Sequence, residues 1–158
     1  IVIFSGGFKM ATTVKKTKFT SKIIESITIN EQPQQVITTL DIINVTDYSH
    51  RIMSVSTGTS SIVTFGASDA AGRIDSSRFK YLRVTNLDDT NNVRLTVQLT
   101  TAQDTYEVVL SPKTSHILTS KSGDITTGGA EVSLEDITTI KGTATTAACD
   151  VEIFTVSS

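Results

Sequence analysis

The 158-residue chain contains no tryptophan, one cysteine and two prolines. A single cysteine, Cys149, excludes an intrachain disulfide and any zinc site built from several cysteines. No apolar run approaches the roughly 20 residues of a membrane-spanning helix, and the opening Ile-Val-Ile-Phe is too short for the apolar core of a signal peptide. We therefore expect a soluble chain with no membrane partner.

The motifs of common enzyme classes are also missing. There is no Gly-x-Ser-x-Gly and no glycine-rich phosphate or dinucleotide loop. His50 and His116 stand in unrelated segments without metal-ligand spacing. Asp88, Thr90 and Asn92 occupy alternate positions, as at the start of a calcium loop, but the glycine and glutamate that such a loop requires do not follow. We expect a polar turn there, no enzymatic activity, no metal and no cofactor.

The residues that are abundant favour β-structure. Threonine, serine, valine and isoleucine dominate, and β-branched side chains suit a pleated, half-buried surface better than a helix. About nine short segments with period-2 alternation predict an antiparallel β-sandwich or jelly roll of roughly 8–10 strands. The final strand should place Val151 and Ile153 on one face and Phe154 and Val156 on the other. The predicted core residues are Leu82, Val84, Val93, Leu95, Val97 and Leu99.

Three polar segments separate pairs of these predicted strands. Residues 86–92, "NLDDTNN", are an Asn/Asp cluster that predicts a hairpin between the strands on either side. Thr57–Ser60 predicts a similar connection, and Pro112 lies between two further strands. In the strand before residue 86, alternation places Lys80 on the face of Leu82 and Val84.

The N-terminal segment differs from the rest of the chain in charge. Residues 1–22 contain five lysines and no acid, and because the whole chain carries −2, the remainder carries −7. We interpret residues 1–18 as an arm with an apolar tip, a Gly6-Gly7 hinge and a lysine-rich stretch, followed by a single domain over residues 19–158. Alternatively, Met10 is the natural start and residues 1–9 are leader sequence read as protein. The predicted interface residues are Ile1, Val2, Ile3, Phe4, Lys15, Lys16 and Lys18.

Over about residues 79–158 the strand-and-turn pattern resembles small structural proteins of tailed bacteriophages, especially those of marine and cyanobacterial hosts. The resemblance lies in "FKYLRVTNLDDTNNVRLTVQL", "YEVVLSPKTSHILTS" and "ITTIKGTATTAACDVEIF". It implies a virion protein, such as a capsid decoration or cement protein, that forms a homo-oligomer or multi-copy assembly. Its expected partners are other virion proteins, either the major capsid protein or neighbouring copies, and nucleic acid is not expected as a partner. Two alternatives remain at this point: a subunit of an extracellular donor-strand filament, and a glycan-binding β-sandwich module.

Overall fold

The computed structural model describes residues 15–66, 72–100, 105–119, 125–127, 130–132 and 136–158, and the statements below concern these residues. They form thirteen strands and one short 3-10 turn at Ser76–Arg78. The strands are β1 (Thr17–Ile29), β2 (Gln32–Val45), β3 (Asp47–Val55), β4 (Ser60–Gly66), β5 (Ile74–Asp75), β6 (Phe79–Asn86), β7 (Val93–Leu99), β8 (Thr105–Leu110), β9 (Ser115–Thr119), β10 (Ile125–Thr127), β11 (Ala130–Val132), β12 (Ile137–Ala144) and β13 (Cys149–Ser157).

Nine of these strands form two sheets. One has the order β5-β4-β12-β7-β8 and the other the order β3-β13-β6-β9. All neighbours are antiparallel except β4 and β5. The chain passes from one sheet to the other at β3–β4, β5–β6, β6–β7, β8–β9 and β12–β13, and again between β9 and β12. Two four-stranded layers joined in this way, with β5 added at an edge, have the topology of a jelly roll. The predicted all-β sandwich is confirmed.

The connections that were predicted as hairpins cross between the sheets instead. The strands on either side of residues 86–92 are β6 and β7, and these lie in different layers. The same is true of β3 and β4, and of β8 and β9. The prediction was wrong because alternation identifies the buried face of each strand, and that face is the same whether the next strand pairs beside it or packs opposite it.

The space between the sheets holds the main core. The six residues predicted to be buried are all buried there, and Val151 and Ile153 join them from β13. Phe79 also packs in this core. Val156 of β13 pairs with Tyr81 and the next residue, Ser157, pairs with Phe79, so Lys80 is an extra residue of β6 without a partner on β13. The bulge turns Phe79 towards Leu82, so the predicted position of Lys80 on the core face was wrong.

Hydrogen bonds join the crossing connections at one end of the sandwich. The fully buried Asn86 donates from Nδ2 to the carbonyls of Asn91 (2.8 Å) and Leu110 (3.2 Å). Its Oδ1 accepts from the amide of Asp88 at 3.0 Å. The Asp88 carboxylate accepts from the amides of Asn91 and Thr90, and these bonds lower the pKa of Asp88. The side chains of this polar segment therefore satisfy its own backbone groups, although the strands on either side do not form the predicted hairpin.

Candidate interaction surface

The β1–β2 hairpin lies outside both sheets of the sandwich, and its two strands pair only with each other among the described residues. Asn30 and Glu31 form its turn, with φ angles of 49° and 63°. Positive φ at both central residues is the feature of a type I′ turn, which matches the twist of the flanking strands. Pro33 lies opposite Thr28 near the turn. Because β2 pairs with no described strand other than β1, the N–H that proline lacks is not needed on its outer edge.

The base of the hairpin packs on the outer face of the four-stranded sheet. Phe19 contacts Tyr81 and Phe154, with ring centroids 4.9 and 5.6 Å apart. Ile42 and Val45 are buried in the same cluster as Tyr81 and Val156. Phe154 and Val156 therefore face away from the main core, as predicted, and the hairpin covers the side of the sheet that they occupy.

A bulge near the base allows two nearby residues of β2 to face the sheet. Thr17 pairs with Val45 but Phe19 pairs with Ile42, so β2 contains one extra residue between these pairs. Asn44 has a φ of 61°, a left-handed conformation that asparagine adopts more readily than most residues. As a result, Ile42 and Val45 are both buried although they are three positions apart.

The hairpin crosses the strands of the sheet and is longer than the sheet is wide. Tyr48, Val156, Tyr81 and Thr119 lie side by side on β3, β13, β6 and β9. The hairpin follows this row, and Thr38 lines a small cavity together with Tyr81 and Thr119, above the edge strand β9. Six further residues separate Thr38 from the turn, and at about 3.4 Å per residue they carry the hairpin roughly 20 Å beyond that edge.

The projecting part exposes large apolar side chains on both faces. Ile23, Ile27, Ile29 and Val36, here called the hairpin stripe, continue the face that packs on the sheet at the base. Ile24 and Ile37 pair with each other on the opposite face. All six side chains are between 48% and 61% exposed. Monomeric proteins rarely expose such a contiguous group, and a two-stranded hairpin has little stability alone, so this surface is suited to a protein partner.

The part of the sheet that the hairpin leaves open carries a small polar network. Glu152 on β13 contacts His50 at 2.9 Å and Arg83 at 2.7 Å. The hydrogen bond to His50, aided by the charge of Arg83, lowers the pKa of Glu152. Tyr48 and Ile52, on either side of His50 on β3, are 68% and 60% exposed. This outer strand therefore presents a second apolar surface on the same sheet face.

The predicted interface residues are divided between the described and undescribed parts of the chain. Lys15 and Lys16 are exposed, and Lys18 forms an exposed ion pair with Asp41 at 3.2 Å. Lys18 belongs to β1, which begins two residues before the predicted domain boundary. The four apolar residues predicted at the tip of the arm, Ile1, Val2, Ile3 and Phe4, lie outside the described residues.

The hairpin stripe was not among the residues predicted from the sequence. The available signal was the density of isoleucine on both faces of residues 23–29, since a strand with one face in solvent alternates apolar with polar residues.

The remaining chemistry-bearing groups do not assemble into a reactive centre in the described part of the chain. His116 faces Tyr106, with 3.3 Å between Nε2 and the phenol oxygen, and burial lowers the pKa of His116. Cys149 is buried. Within the described ranges, no three His, Cys, Asp or Glu side chains are grouped to hold a metal ion. The same residues contain no helix of the length and apolarity needed to span a membrane.

Comparisons with protein-family models, with curated proteins and with solved structures found no match for this chain.

Proposed function

We propose that this chain is a non-enzymatic structural protein of a tailed-bacteriophage particle, a capsid decoration or cement protein or another minor virion protein. In this role it binds neighbouring subunits. The observation that carries the proposal is the β1–β2 hairpin, which extends roughly 20 Å beyond a closed jelly roll and exposes the hairpin stripe. The resemblance of residues 79–158 to phage structural proteins supports the same role.

The architecture agrees with a protein that assembles. Jelly rolls occur in viral capsid proteins, lectins and cupins, so the fold alone selects none of these roles. Apolar side chains fill the centre of the space between the two sheets. A polar cleft of about 190 Å³ opens between the sheets at the β3–β4 edge, where Ser49, Arg51 and Arg73 line it. The large apolar surface lies on a projecting element, where it can reach another subunit.

The donor-strand filament is less well supported. A donor-strand subunit leaves a groove in its sandwich that the strand of a neighbour must fill. In the described residues both layers of the jelly roll contain their four strands, and the buried residues of both layers form one cluster. The exposed apolar surface is on an added hairpin rather than in a gap within a sheet.

The experiment that tests the proposal is mass spectrometry and electron microscopy of particles purified from the virus that encodes the chain. We expect the protein in the particles in many copies, and we expect recombinant protein to bind particles that lack it. The double variant Ile27→Lys/Ile29→Lys should lose this binding, whereas Val109→Lys, a matched change at an exposed position of the other sheet, should keep it. Absence of the protein from purified particles would overturn the proposal.

A further inference from the structure

We propose that the hairpin stripe of one copy packs on the outer face of β3 of a second copy, so that the chains join head to tail. This inference rests on the proposed role of the hairpin as a docking element and names its partner. The receiving surface, called the β3 flank, consists of Tyr48, His50 and Ile52. It lies on the same sheet face that the hairpin already covers within its own chain.

The hairpin stripe and the β3 flank lie at opposite ends of the row of residues that crosses the four-stranded sheet. Tyr48 begins the row of residues that the hairpin follows, and Thr119 ends it, beside the edge where the hairpin leaves the sheet. The exposed stripe therefore lies beyond one edge of the sheet, and the exposed β3 flank forms the other edge. A second copy placed next to β9 with its β3 foremost would bring the two surfaces together.

The projecting part of the hairpin is long enough to reach the sheet of a second copy. Four strands at a spacing of about 4.8 Å make a sheet face roughly 14 Å wide between the outer strand axes. The overhang of roughly 20 Å is long enough to pass over β3 of a neighbour and reach β13 beside it. The hairpin would then lie on the part of the second sheet face that the neighbour's own hairpin leaves open.

The hairpin stripe and the β3 flank are also compatible in their apolar and charged groups. The base of the hairpin packs on aromatic rings through Phe19, and Tyr48 extends the same set of rings, with its centroid 6.2 Å from that of Phe154. The only charged residue among those that share a face with the stripe is Glu25. The β3 flank carries His50 and no acid, and the neighbouring Glu152 is already paired with both His50 and Arg83, so Glu25 would not meet an unpaired carboxylate.

Head-to-tail contacts use two different surfaces on each copy, so they continue until a ring closes or an open filament forms. This property distinguishes the proposal from a symmetric contact between two hairpins. It also provides a test, because a copy that lacks only its stripe can still receive a hairpin, and a copy that lacks only its β3 flank can still donate one.

The experiment uses full-length protein and sedimentation velocity over a range of concentrations. Wild-type protein should self-associate, whereas Ile27→Lys/Ile29→Lys and Tyr48→Lys/Ile52→Lys should each remain monomeric. An equimolar mixture of the two variants should form pairs and nothing larger, since only one productive contact remains in each pair. Val109→Lys should associate like the wild type, and circular dichroism should show that every variant keeps its β-structure.

Cysteine cross-linking provides an independent readout. In a Cys149→Ala background, copies with Ile29→Cys alone mixed with copies with Ile52→Cys alone should form a disulfide between the two chains. Rapid linking of Ile29→Cys copies to each other, or a mixture of the lysine variants that stays monomeric, would overturn the head-to-tail contact.

If the wild-type protein is monomeric but still needs its stripe to bind particles, the second-copy inference fails while the proposed function stands. If the protein forms head-to-tail pairs but is absent from particles, the proposed function fails while the second-copy inference stands.

Discussion

Leu95 shows how a single residue supports the fold. It is fully buried between the two sheets, on the strand with the clearest alternation in the sequence. Leu95→Ala should lower the free energy of unfolding by roughly 2–5 kcal/mol, because it removes buried methyl groups and leaves a cavity. Urea denaturation measures the change. The neighbouring Arg94→Ala, at a half-exposed side chain, should stay within about 0.5 kcal/mol of the wild type. A loss below about 1 kcal/mol for Leu95→Ala would contradict its place in the core.

Asn86 is the residue that the sequence presented as an ordinary turn residue and that the structure places in the interior. Its side chain makes three hydrogen bonds that join the end of β6 to the turn after it and to the end of β8. Asn86→Ala should cost roughly 1–3 kcal/mol, because the carbonyls of Asn91 and Leu110 lose a buried donor. Asn92→Ala is the matched control, since Asn92 uses its backbone carbonyl to accept from Thr145. Equal denaturation midpoints for both variants would contradict this role.

His116 should make the stability of the sandwich depend on pH. Burial lowers the pKa of His116, so the unfolded chain binds the proton more tightly than the folded chain. The stabilisation is therefore fully present above the ordinary histidine pKa of about 6.5 and is lost as the pH falls below it. Urea unfolding between pH 7.5 and 5 should show a decline that is shallower in His116→Gln. Parallel declines for the two proteins would show that His116 does not contribute.

At the scale of the element, alternation in the sequence predicted the strands and their buried faces, but it did not predict which strands pair with each other. Val93 to Leu99 and the two faces of β13 were predicted correctly because alternate side chains of a strand point to opposite sides. The pairing partners were not predictable in this way, since β7 pairs with β12, which follows it by about forty residues. Lys80 and Asn44 illustrate a further limit, because a bulge adds one residue and reverses the expected face beyond it.

The hairpin turn gives a prediction about a whole element. Glu31 adopts a φ of 63°, a conformation that costs a residue with a side chain about 1 kcal/mol or more and costs glycine little. Glu31→Gly should therefore slow amide hydrogen exchange in β1 and β2 about fivefold, which corresponds to roughly 1 kcal/mol. Glu25→Gly makes the same change in the middle of β1, where glycine weakens a strand, and exchange there should become faster. Faster exchange in both variants would contradict the type I′ turn.

At the scale of the whole molecule, the architecture separates a self-sufficient body from the elements proposed to bind neighbours. Every described residue of the main core lies between Val55 and Ile153, so the β1–β2 hairpin contributes no buried side chain to that cluster. A body of this kind can keep its stability while its projecting parts remain available for partners. The residues proposed for assembly thus lie on the hairpin and on the outer face of β3, whereas the described residues of the main core lie from Val55 onward.

Deletion of residues 1–9 tests this separation directly. Because the described residues of the main core all lie from Val55 onward, the truncated chain should keep the wild-type free energy of unfolding within about 0.5 kcal/mol. Binding to particles should weaken, because the deletion removes the apolar Ile-Val-Ile-Phe and Lys9 from the predicted arm. Urea denaturation and co-sedimentation with particles measure the two effects, and a variant that replaces Ile1, Val2, Ile3 and Phe4 with serine separates the loss of apolar contacts from the loss of length. Unfolding of the truncated chain would mean that the segment completes the domain, whereas unchanged binding would contradict a role of residues 1–9 in docking.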